Sequence, residues 1–168
     1  SSRPDVTVFE TEPLENDLTI AGPLKVFLYA STSGTDSDFT VKVIDVFPND
    51  APTPPDSPKN WNAGGYQMLV RGDTLRGKYR KSFSKPEPFV PNKVTEVPFA
   101  LPDIFHTFKK GHRLMVHVQS SWFPIVDRNP QIFMTIKDAK PEDFKKATQR
   151  IFHSPQYLSR IEFIEIKR

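Results

Sequence analysis

The chain has 168 residues, with 23 basic and 20 acidic side chains and no cysteine. This length fits a single domain of ordinary size. The lack of cysteine excludes disulfides, thiolate catalysis and Cys-ligated zinc. A net charge of +3 without long like-charged blocks argues against nucleic-acid binding. No apolar run approaches the roughly 20 residues of a membrane span.

The composition indicates short strands rather than long helices. Proline occurs 17 times, about twice its usual share of ~5%, and phenylalanine occurs 14 times. The other apolar residues are largely Val, Ile and Leu, which favour strands. The first ten residues, SSRPDVTVFE, lack the charged and apolar pattern of a targeting segment. We therefore expect a piece of a longer protein whose compartment is unknown; an exported or periplasmic parent is one alternative.

Runs with alternating or continuous apolar residues recur along the chain and predict about nine short strands. They span, in chain order, residues 5–10, 18–22, 24–32, 38–47, 66–72 with an extension over 74–80, 94–101, 113–121, 148–154 and 159–167. The run at 24–32 is apolar on both faces, which is typical of a central strand. Pro98 favours a sheet edge for the run at 94–101.

Proline-rich stretches separate these runs. Residues 48–65 are too polar and too broken for a regular element, and we expect a mobile surface insertion there. Residues 84–93 are expected to be extended. One short helix is predicted over 141–147, because Pro141 suits its first position. Strands with an apolar face must bury it against a second layer, so the predicted fold class is all-β, a sandwich or jelly roll formed by residues 1–168 as one domain.

The sequence lacks the pattern of a nucleophilic enzyme. An α/β-hydrolase needs a Gly-x-Ser-x-Gly elbow, which is absent. Ser120 points to the opposite face of its strand from His117, and Ser121 lies roughly 13 Å from His117 along an extended chain. We therefore predict no catalytic residue. Carboxylates for glycoside hydrolysis are candidates by strand position only, and their spacing selects no pair: Glu10, Asp45, Glu96 and Glu162.

Metal and adhesion motifs are equally weak. The four histidines do not form a zinc-binding pattern, and no cofactor is predicted. Asp36 and Asp38 could bind one calcium ion, or could form an Asx turn that leads into the next strand. The tripeptide Arg71-Gly72-Asp73 lies between two strand-like runs, which favours a bulge or bend over an exposed adhesion loop.

Three blocks of the sequence together carry a family resemblance. They are PLENDLTIAGPLKVFLYASTSGTDSDFTVKVIDVFP (13–48), GYQMLVRGDTLRGKYRKSFSKPEPFVPNKVTEVPFALPD (65–103) and HTFKKGHRLMVHVQSSWFPIVDRNP (106–130). In this order, and over nearly the whole chain, they resemble the C-terminal non-catalytic domain of the X-prolyl dipeptidyl-peptidase, cocaine-esterase and α-amino-acid ester hydrolase superfamily. The stretch SSWFPIVDRNPQ is most similar to the branch of α-amino-acid ester hydrolases and cephalosporin acylases.

The resemblance implies a fold and a partner. Full-length members combine an α/β-hydrolase domain with a Ser-Asp-His triad, a helical cap and a C-terminal jelly roll shaped like a galactose-binding domain. This chain would be that jelly roll alone, packing on and shaping the hydrolase domain of the same parent chain. No position here matches a triad residue, so activity on acyl esters, amides or X-Pro peptides would belong to the parent.

The stretch after the strand at 113–121 is the main candidate for a contact surface. Its aromatic residues and Pro124 are expected to form a turn that caps the core or meets the hydrolase domain, fixed by an ion pair and turn hydrogen bonds. The candidate inter-domain or substrate-rim contacts are Phe9, Trp122, Phe123, Asp127, Arg128 and Asn129. An apolar patch larger than that of a typical monomer is expected at Phe9, Leu14, Trp122, Phe123 and Ile125.

A carbohydrate-binding module is the alternative function. Jelly rolls commonly bind sugars, and sugar sites use exposed Trp and Tyr faces. Trp61 in the long loop and Trp122 after the strand are the candidate platforms. The family blocks favour the hydrolase appendage, and binding to polysaccharide gels would discriminate between the two functions.

Overall fold

The computed structural model describes residues 5–167, so the expectation about the first ten residues lies partly outside the described residues. Nine strands occur within this range. They are β1 (Val6–Glu10), β2 (Leu18–Thr32), β3 (Asp38–Val46), β4 (Gln67–Arg76), β5 (Thr95–Phe108), β6 (Arg113–Gln119), β7 (Gln149–Ser154), β8 (Tyr157–Leu158) and β9 (Arg160–Glu165). Three 3-10 turns are present at Gly77–Tyr79, Ile136–Asp138 and Pro141–Asp143.

The strands form two antiparallel sheets. One has the order β1-β6-β3-β4, and the other has the order β5-β2-β7-β8, with β9 also paired to β2. Their apolar faces meet in a single buried cluster, as the strand pattern requires. The predicted all-β sandwich is therefore confirmed, whereas its jelly-roll detail stays a prediction.

The core follows the period-two alternation of the central strands. In β2, the even positions from Ile20 to Ala30 are buried apart from Gly22, and in β3 the odd positions Phe39, Val41 and Val43 face them. Val118 of β6 is buried in the same cluster. Leu114 and Val116 pack against it, as the alternation of this strand predicts.

Two strands are longer than the sequence indicates. The predicted strands at 18–22 and 24–32 are one strand, β2, because Gly22 takes a φ of +81° and forms a bulge that the ladder spans. β5 continues to Phe108 although it contains two prolines. β5 lies at the edge of its sheet and pairs with a neighbouring strand on one side only. A proline there, which has no amide hydrogen, can face the open side without interrupting the hydrogen bonds between strands. The turn before β6 has Gly111 at a φ of +83°, at the predicted bend.

Of the one or two helical turns predicted over 141–147, the structure has one, the 3-10 turn at Pro141–Asp143. The amide of Lys140 donates to the Asp143 carboxylate (2.9 Å), as expected at a helix start. The chain then extends, because the amide of Lys145 donates to the carbonyl of Pro130 instead of to a helical partner. Within residues 5–167, no helix is long and apolar enough to cross a membrane.

Candidate functional site

β6 ends at Gln119, and residues 120–130 leave the sheet in a short irregular turn that we call the corner. Its Phe123–Pro124 peptide bond is cis. The amide of Val126 donates to the carbonyl of Trp122 (3.0 Å), which closes the turn. The side chain of Gln119 donates to the carbonyl of Ser121 and ties the turn to the end of the strand. The corner therefore holds its side chains in fixed directions.

Trp122 packs on the outer face of the four-stranded sheet rather than on the core between the sheets. The Lys42 ammonium lies 4.5 Å from the centre of its ring. A Cβ atom built on Gly72 would come within 3.0 Å of Trp122 Cη2, so the ring rests directly on the backbone of β4. Lys42 and Gly72 are paired across β3 and β4. Trp122 is thus a structural anchor of the corner.

The tip of the corner is apolar and exposed. Phe123 is 66% exposed and Ile125 is 71% exposed, and the two lie two positions apart in one turn. Both follow the anchored Trp122 in a turn of fixed geometry. This tip is the part of the corner that is free to contact another surface.

Two charged residues of the corner lie beside the tip. Asp127 Oδ2 lies 3.5 Å from the guanidinium of Arg76 on β4, a partner outside the corner that the sequence interpretation did not name. The Arg128 guanidinium lies 5.1 Å from the centre of the Phe144 ring and 5.9 Å from that of Phe123. Within residues 5–167, Arg128 makes no ion pair. Aromatic rings thus orient a guanidinium whose charge is not neutralised.

Asn129 connects the corner to a buried polar cluster at the start of β3. Its side-chain amide donates to Asp38 Oδ1 (2.8 Å) and to Asp36 Oδ2 (3.2 Å). Asp36 Oδ1 also accepts from the amides of Ser37 (2.9 Å) and Lys78 (3.1 Å). Both carboxylates are at most 1% exposed. The amide therefore fixes the end of the corner on the strand that leads into the core.

Burial raises the pKa of both carboxyl groups in this cluster. For Asp38 the pKa rises from 3.8 to about 6, although the hydrogen bond from Asn129 and the charge of Arg76 both lower it. For Asp36, too, burial outweighs the hydrogen bond from Asn129, so its pKa is raised. The loss of hydration raises the pKa of the two neighbouring carboxyl groups by more than the hydrogen bonds and positive charges around them lower it.

The donors around Asp36 and Asp38 argue against the calcium alternative. The amide of Asn129 and the backbone amides of Ser37 and Lys78 direct positive hydrogen atoms at the carboxylate oxygens that a cation would need as ligands. The positive charge of Arg76 lies 3.8 Å from Asp38. Among the described residues, no group of three or more His, Cys, Asp or Glu could hold a metal ion. The Ser37 amide that donates to Asp36 is one residue further on and not two, so the Asx turn stays a prediction.

The structure does not join the serines and the histidine of the corner region. His117 Nε2 lies 3.2 Å from Met115 Sδ on the same strand, and no hydrogen bond within residues 5–167 connects it to Ser120 or Ser121. Burial lowers the pKa of His117. β6 ends at Gln119, so the strand parity assumed for Ser120 and Ser121 does not extend to them, and their divergence from His117 stays a prediction.

The Arg-Gly-Asp tripeptide lies inside β4 and not at a loop tip. The ladder irregularity falls between Leu69 and Arg71, just before the glycine. Arg71 donates to the carbonyl of Asp103 in the other sheet (2.7 Å) and so joins the two sheets at this edge. The glycine lies beneath the Trp122 ring. These contacts give the tripeptide a structural explanation.

Phe9 does not lie on the same face as Trp122. It pairs with Val116, whose side chain packs on the core, and its ring meets that of His153 edge-on at 6.3 Å. Phe9 lines an apolar cavity of about 460 Å³ between the sheets. Leu14 packs against the core as well. The expected patch is therefore divided by the sheet, and its exposed part at the corner consists of Phe123 and Ile125.

The long loop over 48–65 has no regular element, and most of residues 52–60 are exposed, as expected of a surface insertion. Its second half is anchored. Ala63 is buried, and its amide donates to Thr53 Oγ1 (3.0 Å). The Trp61 ring packs edge-on against Tyr66 at 5.4 Å. Lys42 lies over the ring of Trp122, and Trp61 is half-buried beside Tyr66, so the carbohydrate alternative stays a prediction.

A buried cluster that the sequence interpretation missed joins β3 to β5 and the turn before β6. Asp45 Oδ2 lies 2.9 Å from His106 Nε2, and Asp45 Oδ1 lies 2.8 Å from His112 Nδ1. The sequence could have indicated this cluster through Asp45 alone, which lies on the inward face of β3. A buried carboxylate requires hydrogen-bond donors, so such a position predicts donors nearby. The histidines are 61 and 67 positions away, so only the folded topology brings them together.

The fold and the corner define an accessory β-sandwich domain, in which buried polar residues hold an exposed apolar turn. The family described as the X-Pro dipeptidyl-peptidase C-terminal non-catalytic domain matches residues 1–162. The chain belongs to this family. The resemblance carried by the three sequence blocks is thereby confirmed, as is the interpretation of the chain as a non-catalytic C-terminal domain.

Relatives of known identity are several times longer than this chain. Cocaine esterase from Rhodococcus sp. (strain MB1 Bresler) is 31% identical over 166 residues, which cover 99% of this chain and 26% of the esterase. Two solved structures are 48% identical with a TM-score of 0.90 over 99% of this chain. They are an aminopeptidase from a marine sediment Thaumarchaeota archaeon and an α-amino acid ester hydrolase, of which 27% and 26% are covered. The chain thus spans about a quarter of the length of these relatives.

Proposed function

We propose that this chain is one accessory domain, residues 1–168, that packs through its corner on the α/β-hydrolase domain of a longer serine hydrolase. The observation that carries the proposal is the exposed apolar tip, Phe123 and Ile125, held rigid by Trp122 and Asn129. Interfaces are rich in aromatic residues and arginine, and Arg128 lies beside this tip. Large apolar side chains in this setting are typical of a docking surface.

The share of the relatives that the chain covers supports a fused partner. The matching region forms about a quarter of each related hydrolase. In such a protein the remaining three quarters of the polypeptide are covalently linked to this domain and are the first surface that it can contact. Contacts between domains of one chain bury roughly 600–1,500 Å². In this proposal the parent hydrolyses esters or amides, of the α-amino-acid ester, acylase or X-Pro peptide type. This domain shapes and stabilises the hydrolase domain without acting on substrate itself.

The test compares two double variants in the full-length protein that carries this domain. Phe123→Ala with Ile125→Ala removes the tip, and Phe105→Ala with Ile164→Ala removes equally exposed side chains from the outer face of the other sheet. Each buried side chain of this size contributes about 1.5–3 kcal/mol. We expect the tip variant alone to lower the unfolding temperature and the turnover rate of the full-length protein. The tip variant of the isolated chain should unfold like the unsubstituted chain.

The opposite pattern, in which only the Phe105 and Ile164 variant affects the full-length protein, would assign docking to the other sheet. Hydrolysis by the isolated chain that a single Ser→Ala substitution abolishes would contradict the accessory role itself. Retention of the isolated chain on a polysaccharide gel would favour the carbohydrate-binding alternative, although the packed positions of both tryptophans argue against it.

A further inference from the structure

A second feature of the corner is a basic pocket on the side facing residues 144–149. It has a volume of about 410 Å³ and is lined by Ser120, Ser121, Arg128, Asn129, Gln131, Phe144, Lys145, Lys146, Ala147 and Gln149. None of these lining residues is acidic, and three are cationic. The pocket therefore concentrates positive charge in a concave site, which is the arrangement that attracts an anion.

The cations of this pocket have no carboxylate partners within residues 5–167. Arg128 contacts only the Phe123 and Phe144 rings, and Lys146 makes no hydrogen bond or ion pair within that range. Lys145 Nζ donates to the carbonyl of Glu142 (2.7 Å), a neutral acceptor that leaves its charge in place. The hydroxyl groups of Ser120 and Ser121 also make no hydrogen bond within the described range. The pocket therefore offers both charged donors, from its lysines and arginine, and neutral hydroxyl donors, from its serines, to a bound anion.

The geometry around Arg128 favours a planar anion. Packing against two aromatic rings restricts the guanidinium, whose N–H groups form a fork that matches a carboxylate with two parallel hydrogen bonds. Phe144 supplies an apolar wall next to this fork. A ligand that carries a carboxylate on an aromatic or aliphatic body satisfies both the charge and the wall.

The polar floor of the pocket is already ordered. Asn129 Oδ1 accepts from the amide of Gln131 (2.8 Å), and Gln149 donates to Gln131 Oε1 (2.6 Å). Asn129 is also held by the buried pair of aspartates. Because these groups bond to one another, binding an anion needs little rearrangement of the floor, and preorganisation of this kind raises affinity.

We propose that this pocket binds a small organic carboxylate, with Arg128 and Lys146 as the charged ligands and Phe144 as the contact for its apolar part. The proposal goes beyond docking on the hydrolase domain and does not depend on it, because the pocket is complete within this chain. The ester and amide hydrolases related to this chain release carboxylic acids, so the chemistry of the ligand is that of their products.

The experiment titrates the 168-residue chain with benzoate, acetate and inorganic phosphate at constant ionic strength and follows the amide resonances. We expect saturable benzoate shifts at Ser120, Ser121 and residues 144–149, and weaker binding of acetate, which has no ring for Phe144. Arg128→Ala and Lys146→Ala should each weaken benzoate binding about tenfold, the loss expected for one charge-assisted hydrogen bond. Lys137→Ala, which removes one exposed positive charge outside the pocket, should change it less than about twofold.

Three results would overturn the proposal. They are benzoate shifts that do not saturate, an equal loss of affinity in the Lys137 and Lys146 variants, and tighter binding of phosphate than of benzoate. Arg128→Lys keeps the charge but not the fork, so it should recover less than half of the loss in binding free energy. Unchanged dispersion of the resonances of 39–46 shows that each variant remains folded. Ile125 lines no part of the pocket and, unlike Phe123, has no ring for Arg128 to contact, so Ile125→Ala should leave benzoate binding unchanged and separates this site from the docking tip.

Discussion

The contact between Trp122 and Gly72 can be tested by a double-mutant cycle in the isolated chain. Trp122 covers the backbone of β4 and carries the Lys42 ammonium at 4.5 Å. Truncation of a fully buried Trp to Ala costs about 3–5 kcal/mol. Trp122 lies on the outer face and keeps part of its surface in water, so we expect Trp122→Ala to lower the free energy of unfolding by about 2–3 kcal/mol. About 0.5–1 kcal/mol of this loss comes from the ammonium contact.

Gly72→Ala probes the same contact from the opposite side. The added methyl group would lie 3.0 Å from Trp122 Cη2 and 3.1 Å from Lys42 Cγ, so the ring has to move. We expect a loss of about 1–2 kcal/mol, typical of mild overpacking. In the Trp122→Ala background the contact with the ring is absent and only the flexible Lys42 side chain has to shift, so alanine should stabilise the strand by about 0.5 kcal/mol relative to glycine. The two substitutions should therefore be coupled by about 1.5–2.5 kcal/mol.

Urea unfolding of the four chains, followed by far-ultraviolet circular dichroism, gives the coupling directly. Equal slopes for the four chains would show that the substitutions act on the folded state. Additive effects, or a loss below about 0.5 kcal/mol for Trp122→Ala, would refute the anchoring role. In that case Trp122 would be a docking residue whose contacts lie in the full-length protein.

Three further predictions concern charge, catalysis and mobility. Burial raises the pKa of Asp38 from 3.8 to about 6, so the folded chain binds a proton at this carboxyl group more tightly than the unfolded chain does. The stabilisation of the folded state by this proton is complete below about pH 4 and is lost as the pH rises through 6. Asp38→Asn removes this dependence on pH. The difference in free energy of unfolding between the variant and the unsubstituted chain, measured by urea melts, should therefore increase in favour of the variant by about 3 kcal/mol from pH 4 to pH 7. A difference that stays constant over this range would contradict the prediction. The isolated chain should not hydrolyse p-nitrophenyl esters, amino-acid esters or X-Pro anilides above background in a spectrophotometric assay, because it lacks an activated nucleophile. In hydrogen exchange, residues 54–60 should exchange rapidly, and Ala63 and residues 39–46 slowly; strong protection throughout 54–60 would show that the loop packs as part of the core.

The strands were predictable where their alternation is undisturbed. β1, β3 and β6 agree with the expected runs to within two residues. In β3 and β6 this agreement follows from apolar side chains that are buried against the core. The second half of β5 was missed because its prolines suggest a break. Only the position of β5 at a sheet edge, which depends on the whole topology, makes them acceptable.

The corner was predictable as a turn but not in its contacts. An ion pair was expected within the group Asp127, Arg128 and Asn129, whereas the partner of Asp127 is Arg76, 51 positions away. The bond between Asn129 and Asp38 likewise joins residues 91 positions apart. Local patterns cannot give such pairs, because chain topology decides which loops meet. The same limit applies to Trp122, since its position on the outer face depends on Gly72 in a neighbouring strand.

Amide exchange, compared between the isolated chain and the full-length protein, tests directly whether the corner docks on a hydrolase domain. Residues 122–128 should exchange more slowly in the full-length protein, because the tip around Phe123 becomes buried there. Residues 54–60 serve as the exposed reference in both samples. Unchanged exchange over 122–128, together with new protection around Phe105 and Ile164 on the other sheet, would contradict the claim.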